Sequence, residues 1–469
     1  MRGGWTIVLD VGKTLSKATL WNDGGRLVAS RTRPNSHCQS DGYTCLDAEA
    51  IERWLEFVLS EFAALGPVSA IVPVAHGAAV ALILHDRLEC APMDYEWQGD
   101  NSDRQGYDEQ RDPFALTGSP ALPAGLNLGV QLHRLEKLRE RNASKILPWA
   151  QYWSWRLSGV MASELTSLGC HTDLWRPYER RPSGLAVRRG WAERLAPLTP
   201  AHVTLGFLDR HWATATGLPA NVEIACGLHD SNAALIDTRS HPDMEGRDVT
   251  VLSTGTWFVA MRSPESRDSA DRAQLPEHRD CLVNVDHRGS PVASSRFMGG
   301  REIEILAGLE GRSAGATASP ATHLEAAIKV IEAGHMVLPT AVPAVGPFPT
   351  SQQEIIGTPE NALESMARAH IYAALVADVS LDLIGARDTL VVEGRFSQSP
   401  VFVRTLRSLR PDTRVLVSEG EHGVAHGALR LIERPVPYAP LDQAAPLPID
   451  VSRYRAQWRQ RASLGDPSS

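Results

Sequence analysis

The segment Trp5–Leu20 constrains the fold of this chain more than any other stretch. Its apolar, β-branched run Thr6–Leu9 ends in Asp10, and after a short polar turn a second strand begins at Ser16. This alternation predicts a tight β-hairpin with apolar arms and a polar tip. The chain must therefore bury both arms of the hairpin while the tip stays accessible.

The residue types at the hairpin tip suit phosphate binding. Gly12 lets a ligand approach the backbone, and Lys13, Thr14 and Lys17 supply hydrogen-bond donors for phosphate oxygens. Asp10 can hold a metal ion, directly or through water. An ordinary surface hairpin is the alternative, because Asp, Gly and Lys are also common turn residues.

Length and charge limit the classes of protein that the chain can represent. A chain of 469 residues exceeds one hydrophobic core and predicts two domains. The net charge of −8, without a basic run, argues against nucleic acid or an anionic membrane as the main partner. A small phosphorylated ligand needs only a local cluster of donors and remains compatible with this composition.

Cysteine usage and the N-terminal residues predict a cytoplasmic protein. The six cysteines are scattered and form no C-x-x-C pair, so we expect neither disulfides nor a cysteine zinc site. The N-terminus enters a strand almost at once, which predicts no signal peptide. The most apolar region, 68–84, is too short and too interrupted to span a bilayer.

The order of elements indicates a fold class. After the hairpin come a third strand at Arg26–Thr32, a helix at Ala48–Leu65 with apolar residues at helical spacing, and a strand at Val68–Val74. This β-β-β-α-β order, with a phosphate-binding first hairpin, resembles the actin-like, ribonuclease-H-like ATPase fold.

Two loops offer polar groups for a sugar. His76 and Gly77 follow the strand at 68–74, where open α/β sheets bind their ligands, although a turn histidine satisfied by backbone groups is equally compatible. Asp94 opens the segment D-Y-E-W, which mixes carboxylates and aromatic rings as sugar pockets often do. The alternative for Asp94 is a solvated acidic loop.

Two further segments contain candidate catalytic or substrate-binding residues. The span Ser163–Trp175 crowds hydrogen-bonding side chains together, among them His171 and Asp173, as a polyol site would require. Asp230 follows a strand and precedes an Ala-rich helix, where it caps the helix or acts as a general base close to the ligand. Its neighbour His229 is an expected substrate contact.

The second half of the chain repeats the architecture of the opening hairpin. An apolar strand ends in Ser253, Thr254, Gly255 and Thr256 before another strand begins. An ordinary hairpin turn is the alternative, but two such turns facing each other would hold the two ends of a polyphosphate. Gly299 opens a helix whose first amides can also face an anion.

With these landmarks placed, the sequence resembles the FGGY carbohydrate kinase family. The motifs DVGKTLSK, GLHDSNAA, LSTGTW, FMGGRE, GRFSQSP and EHGVAHGAL occur in the family order. The resemblance implies an α/β protein with two ribonuclease-H-like (actin-like ATPase) domains and an interdomain cleft. It places an N-terminal domain for the sugar and the catalytic base at 1–240, a C-terminal ATP domain at 241–445 and an irregular tail at 446–469.

The resemblance also implies roles for individual residues. Asp10 would organise Mg²⁺, Thr14 and Lys17 would contact the transferred phosphoryl group, and Asp230 would take the proton of the attacking hydroxyl. Lys13 stands where the family usually has Thr, which adds a charge to the phosphate site. The remaining implied contacts are with the second phosphate motif at Thr254, Gly255 and Thr256, the adenosine at Gly394 and Ser397, and the sugar at His76, His171 and Asp173.

The sequence therefore predicts an ATP- and Mg²⁺-dependent kinase that phosphorylates a ketose or deoxyketose, in the branch that acts on rhamnulose or fuculose. The alternatives are a kinase for another sugar or polyol such as xylulose, and a non-catalytic nucleotide-binding regulator of the actin-like fold. The expected partners are the sugar and ATP, without nucleic acid or membrane, and the resemblance leaves room for a homodimer.

Overall fold

The structure of the protein is a computed structural model that describes residues 4–138, 143–265, 275–420 and 422–464. The chain divides into two compact units. The first contains residues 1–240 together with 283–292 and 422–438, and the second contains the remaining residues. Two short segments that follow residue 240 in sequence thus group with the first unit. Glu421, which opens the last family motif, lies outside the described residues.

The β-strands are numbered in chain order. They are β1 Trp5–Val11, β2 Leu15–Trp21, β3 Leu27–Pro34, β4 His37–Ser40, β5 Tyr43–Leu46, β6 Val68–Ala75, β7 Val80–Leu84, β8 Arg87–Leu88, β9 Lys145–Pro148, β10 Trp175–Arg176, β11 Arg181–Pro182, β12 Thr204–Phe207, β13 Glu223–Ala225, β14 Leu228–His229, β15 Val249–Thr254, β16 Phe258–Ser263, β17 Cys281–Val285, β18 Pro291–Phe297, β19 Met336–Leu338, β20 Glu354–Ile356, β21 Thr389–Gly394, β22 Arg414–Ser418 and β23 Leu441–Gln443.

The α-helices are numbered in the same way. They are α1 Ala48–Ala63, α2 Asn101–Asp108, α3 Phe114–Thr117, α4 Leu128–Leu138, α5 Trp149–Ser158, α6 Leu165–Leu168, α7 Gly184–Arg188, α8 Trp191–Arg194, α9 Arg210–Thr216, α10 Asp230–Arg239, α11 Gly299–Thr317, α12 Pro320–Glu332, α13 Ala362–Leu383, α14 Pro400–Leu409, α15 Gly423–Leu431 and α16 Ser452–Leu464. Among the described residues, none of the helices has both the length and the apolar character that crossing a bilayer requires.

A mixed seven-stranded sheet organises the first unit. Its order is β12-β13-β6-β1-β2-β3, and β14 also pairs with β6. The central strands β1 and β6 are buried on both faces, which explains their nearly continuous apolar sequences. The hairpin, the third strand, the first helix and the following strand predicted from the sequence are all confirmed, and so is the α/β fold class.

The register of this sheet brings three loops to one edge. Val11 lies opposite Ala75 in the parallel pair of β1 and β6, and Ala75 lies opposite His229 in the parallel pair of β6 and β14. The residues that follow these strands therefore emerge side by side at the carboxyl ends, where α/β sheets bind ligands. They include the hairpin tip, His76 and Asp230.

Helices cover both faces of the first sheet. On one face, α1 buries Ile51, Leu55 and Phe62 in a core that includes the aromatic residues of α5. On the other face, α10 and α15 share a second core with β1 and β6. The sheet is therefore the middle layer of a three-layer unit.

The second unit is built around another seven-stranded sheet, with the order β17-β18-β16-β15-β21-β22-β23. The strands β15 and β16 form the predicted second hairpin, and β15 pairs in parallel with β21. The long helix α13, which is buried over most of its surface, packs against α11, α12 and α14. The two sheets thus share the arrangement of a hairpin beside a parallel strand.

The prediction of an irregular tail at 446–469 is wrong for Ser452–Leu464, which forms the helix α16. Trp458 of this helix is fully buried and donates a hydrogen bond from Nε1 to the carbonyl oxygen of Val337 (2.6 Å). Arg455 and Arg459 bind the buried carboxylate of Asp378. The sequence of α16 is rich in arginine, but the buried residues of this helix recur at every fourth position, which is the spacing of one helix face.

The expectation that no disulfide forms is also wrong. Cys38 and Cys45 are bonded across the hairpin of β4 and β5, where they lie directly opposite each other with their Cα atoms 4.9 Å apart. This hairpin was not predicted from the sequence, and a separation of seven residues between two cysteines matches no familiar motif. The other four cysteines are buried and form no disulfide.

Candidate active site

Two carboxylates lie close together at the edge of the first sheet. Asp10 is the penultimate residue of β1, and Lys17 lies opposite it on β2. Burial and the nearby charge of Asp230 raise the pKa of Asp10 from 3.8 to about 7, while Lys17 acts in the opposite direction. The edge therefore concentrates negative charge that a cation would stabilise.

Asp230 is the first residue of α10 and about a third exposed. Its Oδ1 accepts a hydrogen bond from the backbone N–H of Ser231 (2.6 Å) and lies 3.2 Å from Nε2 of His229. Within the part of the chain that the structure describes, its Oδ2 has no hydrogen-bond partner. One oxygen thus serves the start of the helix, and the other is available to accept a proton.

His229 is held on both ring nitrogens. Its Nε2 lies 3.4 Å from Sγ of Cys170, and its Nδ1 lies 3.4 Å from Nδ2 of Asn232. Burial acts to lower the pKa of His229, but the charges of Cys170 and Asp230 outweigh it and raise this pKa. The ring is therefore fixed beside Asp230, where it can donate a hydrogen bond to the carboxylate.

His76 emerges next to Asp230 from the end of β6. Burial lowers the pKa of its imidazole to about 4, so the ring is neutral at physiological pH. Neither ring nitrogen has a hydrogen-bond partner among the described residues. The ring packs edge-on against Tyr95, with 5.9 Å between the ring centroids. A neutral imidazole in this state can both donate to and accept from a hydroxyl group.

The predicted phosphate donors of the first hairpin differ in their surroundings. The Gly12 N–H donates to the carbonyl oxygen of Leu15 (3.0 Å), which closes the tight turn, and Thr14 is exposed at its tip. Lys17 Nζ lies 3.5 Å from Nδ1 of His422. Thr14 is therefore the most accessible of these donors.

Lys13 is bound by protein groups. Its ammonium group donates to Asp94 and lies 4.5 Å from the ring centroid of Tyr95. Asp94 is buried and also accepts from Nδ1 of His37 (2.6 Å) and from the backbone N–H of Glu96 (2.8 Å). Burial acts to raise the pKa of Asp94, but the bond from Lys13 and the other donors lower it.

Most polar side chains of the segment 163–175 form hydrogen bonds with other groups of the protein. Asp173 accepts from the guanidinium of Arg111 through both oxygens and from the hydroxyl of Tyr107 (2.6 Å). His171 Nδ1 lies 2.8 Å from the carbonyl oxygen of Leu126. Both residues have a positive φ, which is uncommon for residues other than glycine and is typical of a tight turn.

The same segment contains residues that sequence analysis did not assign to the site. Glu164 caps α6 and accepts from the hydroxyl of Thr166 (2.6 Å), whose Oγ1 accepts from the N–H of His229 (3.0 Å). Cys170 contacts His229 directly. The hydrogen-bonding character of Glu164 and Thr166 was visible in the sequence, but nothing in the sequence linked Cys170 to a histidine 59 positions away.

The second unit brings its predicted residues together at the end of β15. Thr254 lies opposite Gly394 of β21 in the parallel register. Its Oγ1 donates to the carbonyl oxygen of Glu393 (2.5 Å) and accepts from the N–H of Phe396 (3.0 Å). Ser397 donates to the carbonyl oxygen of Gly394 (2.8 Å). Thr254 and Ser397 therefore shape the loop through their own hydrogen bonds.

The start of α11 closes against the tip of the second hairpin. A Cβ atom at Gly300 would lie 2.0 Å from the carbonyl oxygen of Gly255, so only glycine allows this approach. Gly299 packs in the same way on the ring of Phe258. Met298 provides no side-chain cap, which leaves the first amides of the helix to bind an anion.

Among the residues that the structure describes, two predicted residues at this tip make no hydrogen bond with their side chains. They are Ser253, which is half-buried, and Thr256, which is exposed.

The oxygen donors at the carboxyl edge of the first sheet suit a magnesium ion that is bound together with a nucleotide. Among the described residues, no group of three or more His, Cys, Asp or Glu side chains is placed to hold a metal. Mg²⁺ commonly takes only one or two protein carboxylates and completes its shell with phosphate oxygens and water. The crowded pair of Asp10 and Asp230 supplies carboxylates of this kind.

A solved relative covers nearly the whole chain. It is a carbohydrate kinase from Novosphingobium aromaticivorans, 46% identical, with 99% of each chain covered and a TM-score of 0.93. A search among curated proteins found no match.

More distant structures share the fold. A xylulose kinase from Rhodospirillum rubrum is 17% identical, with 98% of each chain covered and a TM-score of 0.80. A Plasmodium falciparum glycerol kinase with ADP is 11% identical, with 99% of each chain covered and a TM-score of 0.77. Residues 246–440 match the family model described as carbohydrate kinase FGGY, C-terminal domain. The chain therefore belongs to the FGGY carbohydrate kinase family and is a sugar kinase.

Proposed function

We propose that the protein transfers the γ-phosphoryl group of ATP to a hydroxyl of a ketose or deoxyketose, with Asp230 as general base. The observation that carries this proposal is the free Oδ2 of Asp230, which emerges beside Asp10 and His76 at the carboxyl edge of the first sheet. A carboxylate at that place suits removal of a proton from an alcohol as its oxygen attacks phosphorus. Rhamnulose and fuculose are the sugars that we propose to test first.

The roles of the chain's own residues follow from their contacts. Asp230 Oδ2 accepts the hydroxyl proton while His229 and the Ser231 amide hold Oδ1. His76, neutral and without a partner among the described residues, offers a donor and an acceptor to neighbouring sugar hydroxyls. Thr14 and Lys17 contact the transferred phosphoryl group, while the charge of Lys13 is paired with Asp94.

The nucleotide belongs to the second unit in this proposal. The first amides of α11 and the turn at 253–256 bind phosphate oxygens, since amides at a helix start favour anions. The loop that Thr254, Gly394 and Ser397 shape accepts the adenosine.

Mg²⁺ would be held by Asp10, with Asp230 nearby. When bound, the ion neutralises phosphate charge as it develops on the transferring group. Asp10 itself can serve only when ionised, so its raised pKa ties function to pH above about 7 or to the presence of a neighbouring cation.

The test is a coupled ADP-release assay with MgATP against a panel of ketoses, deoxyketoses, aldoses and polyols. We expect turnover on a ketose, a loss of at least about a thousandfold in Asp230→Asn, and unchanged nucleotide binding by calorimetry. The matched control is Asp209→Asn, because Asp209 also begins a helix and accepts from a backbone N–H (2.8 Å). The control should keep its turnover and most of its stability, because Asn caps a helix about as well as Asp does.

Three outcomes count against the proposal. Equal turnover in Asp230→Asn would remove the general base. Turnover on an aldose or polyol alone would replace the substrate class. ATP binding without turnover on any member of the panel would favour the non-catalytic regulator.

A further inference from the structure

A buried ion pair lies next to the imidazole that we propose as a sugar contact. The ammonium group of Lys13 donates to Asp94, and the two side chains are only 11% and 3% exposed. Nζ of Lys13 lies 4.5 Å from the ring centroid of Tyr95. The same ring packs edge-on against His76, with 5.9 Å between the two centroids. One tyrosine ring thus contacts both the ion pair and the candidate sugar-binding histidine.

The backbone also places His76 beside the hairpin tip that carries Lys13. The N–H of His76 donates to the carbonyl oxygen of Val11 (3.3 Å), which is the last residue of β1. Both ring nitrogens of His76 are buried and have no hydrogen-bond partner among the described residues. Buried polar groups need such partners, and a ligand with hydroxyl groups supplies them. A sugar bound to His76 therefore lies within range of the charges of the ion pair.

Asp94 is held in place by groups other than Lys13. Its backbone N–H donates to the carbonyl oxygen of Thr44 (2.9 Å). Its Oδ2 lies 2.6 Å from Nδ1 of His37, and its Oδ1 accepts from the backbone N–H of Glu96 (2.8 Å). The carboxylate therefore has a fixed position, and the long, flexible side chain of Lys13 reaches across to it.

The two charges of the pair oppose each other at His76. Burial is the main cause of the low pKa of His76, and beyond burial the charge of Lys13 lowers this pKa while the charge of Asp94 raises it. Both charges therefore act at the position of the imidazole, with opposite signs. Together they present little net charge to a ligand at the same place.

We propose that Asp94 determines substrate specificity by neutralising Lys13, so that the site accepts uncharged sugars and rejects sugar acids. This inference rests on the proposed function, in which His76 contacts the sugar. A carboxylate on the substrate would meet an ammonium group that is already paired, together with a fixed carboxylate of its own sign. A sugar that carries only hydroxyl groups meets no such repulsion.

Each member of the pair can be made neutral with little change in size. Asp94→Asn leaves the ammonium group of Lys13 without its buried counter-ion. Lys13→Met leaves the carboxylate of Asp94 without the ammonium group. The two variants therefore give the site net charges of opposite sign. The double variant Lys13→Met/Asp94→Asn removes both charges and restores neutrality.

Three ligands of one shape measure the charge that the site prefers. They are gluconate, glucitol and 1-amino-1-deoxyglucitol, which share one carbon chain and differ only at the first carbon. At neutral pH they are negative, uncharged and positive, respectively. Calorimetry without nucleotide gives their dissociation constants, so neither the phosphate site nor the general base enters the measurement.

We expect the wild type and the double variant to bind glucitol more tightly than either charged ligand. Relative to glucitol, Asp94→Asn should bind gluconate at least about tenfold more tightly than the wild type does, because the released ammonium group forms a charge-assisted hydrogen bond with the carboxylate. Lys13→Met should show a gain of the same size for the amine. Comparing two ligands within one protein cancels a general loss of structure.

The chain offers a matched control for the acidic partner. Oε2 of Glu96 lies 3.7 Å from the same ammonium group, but the side chain is 68% exposed. Water and salt screen so exposed a charge, so Glu96→Gln should leave the preference among the three ligands as it is in the wild type. The two single variants test the proposal with opposite signs, so either one decides where the other does not fold.

The outcomes separate this proposal from the proposed function. A single variant that binds its oppositely charged ligand no better than the wild type overturns the neutralising role of Asp94. A double variant that keeps the preference of Asp94→Asn, or a wild type that prefers gluconate to glucitol, also overturns it. Opposite preferences in the two single variants, in a protein that phosphorylates no sugar, support the role of the ion pair while the proposed function fails.

Discussion

Asp94 binds Lys13, so the buried carboxylate of one loop neutralises the ammonium group at the tip of the first hairpin. The side chain of Lys13 is only 11% exposed. Removing the charge of Asp94 leaves the ammonium without its buried counter-ion. We therefore expect Asp94→Asn to lower the free energy of unfolding by about 3 kcal/mol, as loss of one partner of a buried ion pair does.

Urea unfolding measures this effect, and the chain offers a control for it. Glu96 lies 3.7 Å from the same ammonium group, but its side chain is 68% exposed. Glu96→Gln should change the free energy of unfolding by less than about 0.5 kcal/mol. Equal losses in the two variants would contradict the assignment of Asp94 as the partner that stabilises the hairpin tip.

The raised pKa of Asp10 predicts a stability that depends on pH. Its pKa is 3.8 in the unfolded chain and about 7 in the folded protein, so the folded state binds the additional proton in this window. Stability due to this group is complete below about pH 4, falls as pH rises to about 7 and is constant above. Asp10→Asn should therefore be more stable than the wild type at pH 8, by on the order of 4 kcal/mol.

Unfolding curves of both proteins at acidic and alkaline pH measure the difference. The gain in Asp10→Asn should shrink as the pH falls and vanish near pH 3, below the pKa of 3.8, where the wild-type carboxyl is largely protonated in both states. A gain that does not vary with pH would show that packing, and not ionisation, distinguishes the variant. Kinase activity of Asp10→Asn should fall in spite of its greater stability.

The contact of α11 with the second hairpin predicts the result of a single added methyl group. Gly300→Ala would place a Cβ atom 2.0 Å from the carbonyl oxygen of Gly255, so the helix start and the hairpin tip must separate. We expect calorimetry to show at least about tenfold weaker ATP binding, since the amides then lose their alignment.

A second helical glycine provides the control for this substitution. A Cβ atom at Gly106 of α2 meets nothing within 4 Å. Gly106→Ala should raise the free energy of unfolding by about 0.5–1 kcal/mol through helix propensity and leave ATP binding unchanged. Unchanged ATP binding in Gly300→Ala would contradict a nucleotide site at the start of α11.

The bond between Cys38 and Cys45 predicts a thiol count. Protein purified without reductant and then denatured should react with four equivalents of a thiol reagent, corresponding to the free cysteines. After reduction the count should be six. Six thiols before reduction would restore the original expectation of a fully reduced protein.

The sequence predicted those parts of the fold whose signals are local. The alternation of apolar residues in β1 and their helical spacing in α1 each allow only one assignment of secondary structure. A shift of register would expose the whole apolar face to water. The hairpin of β4 and β5 was not predicted, since both strands are only four residues long and half of the residues of β4 are exposed. The helix α16 was missed because arginines that pair with Asp378 have the appearance of a solvated surface.

The candidate site could be predicted only for residues that belong to a local sequence motif. Asp10 and Asp230 were identifiable because Asp10 lies at the end of one strand and Asp230 directly follows another, and both strands end at the ligand edge. The ion pairs of Asp94 with Lys13 and of Asp173 with Arg111 join loops that are 81 and 62 positions apart. No local pattern encodes such partners, so it could not be predicted that these carboxylates are already paired within the protein.

The helix α15 has a consequence for protein synthesis. Its residues Ala425, Ala428 and Leu429 complete a core with Val8 and Ala233, although they are translated almost two hundred residues after α10. On the ribosome α10 therefore covers only part of this apolar face until nearly all of the chain has emerged. A gene fragment that stops at residue 240 would encode a sheet that has α10 but lacks α15 on this face, so part of the core would be open to water.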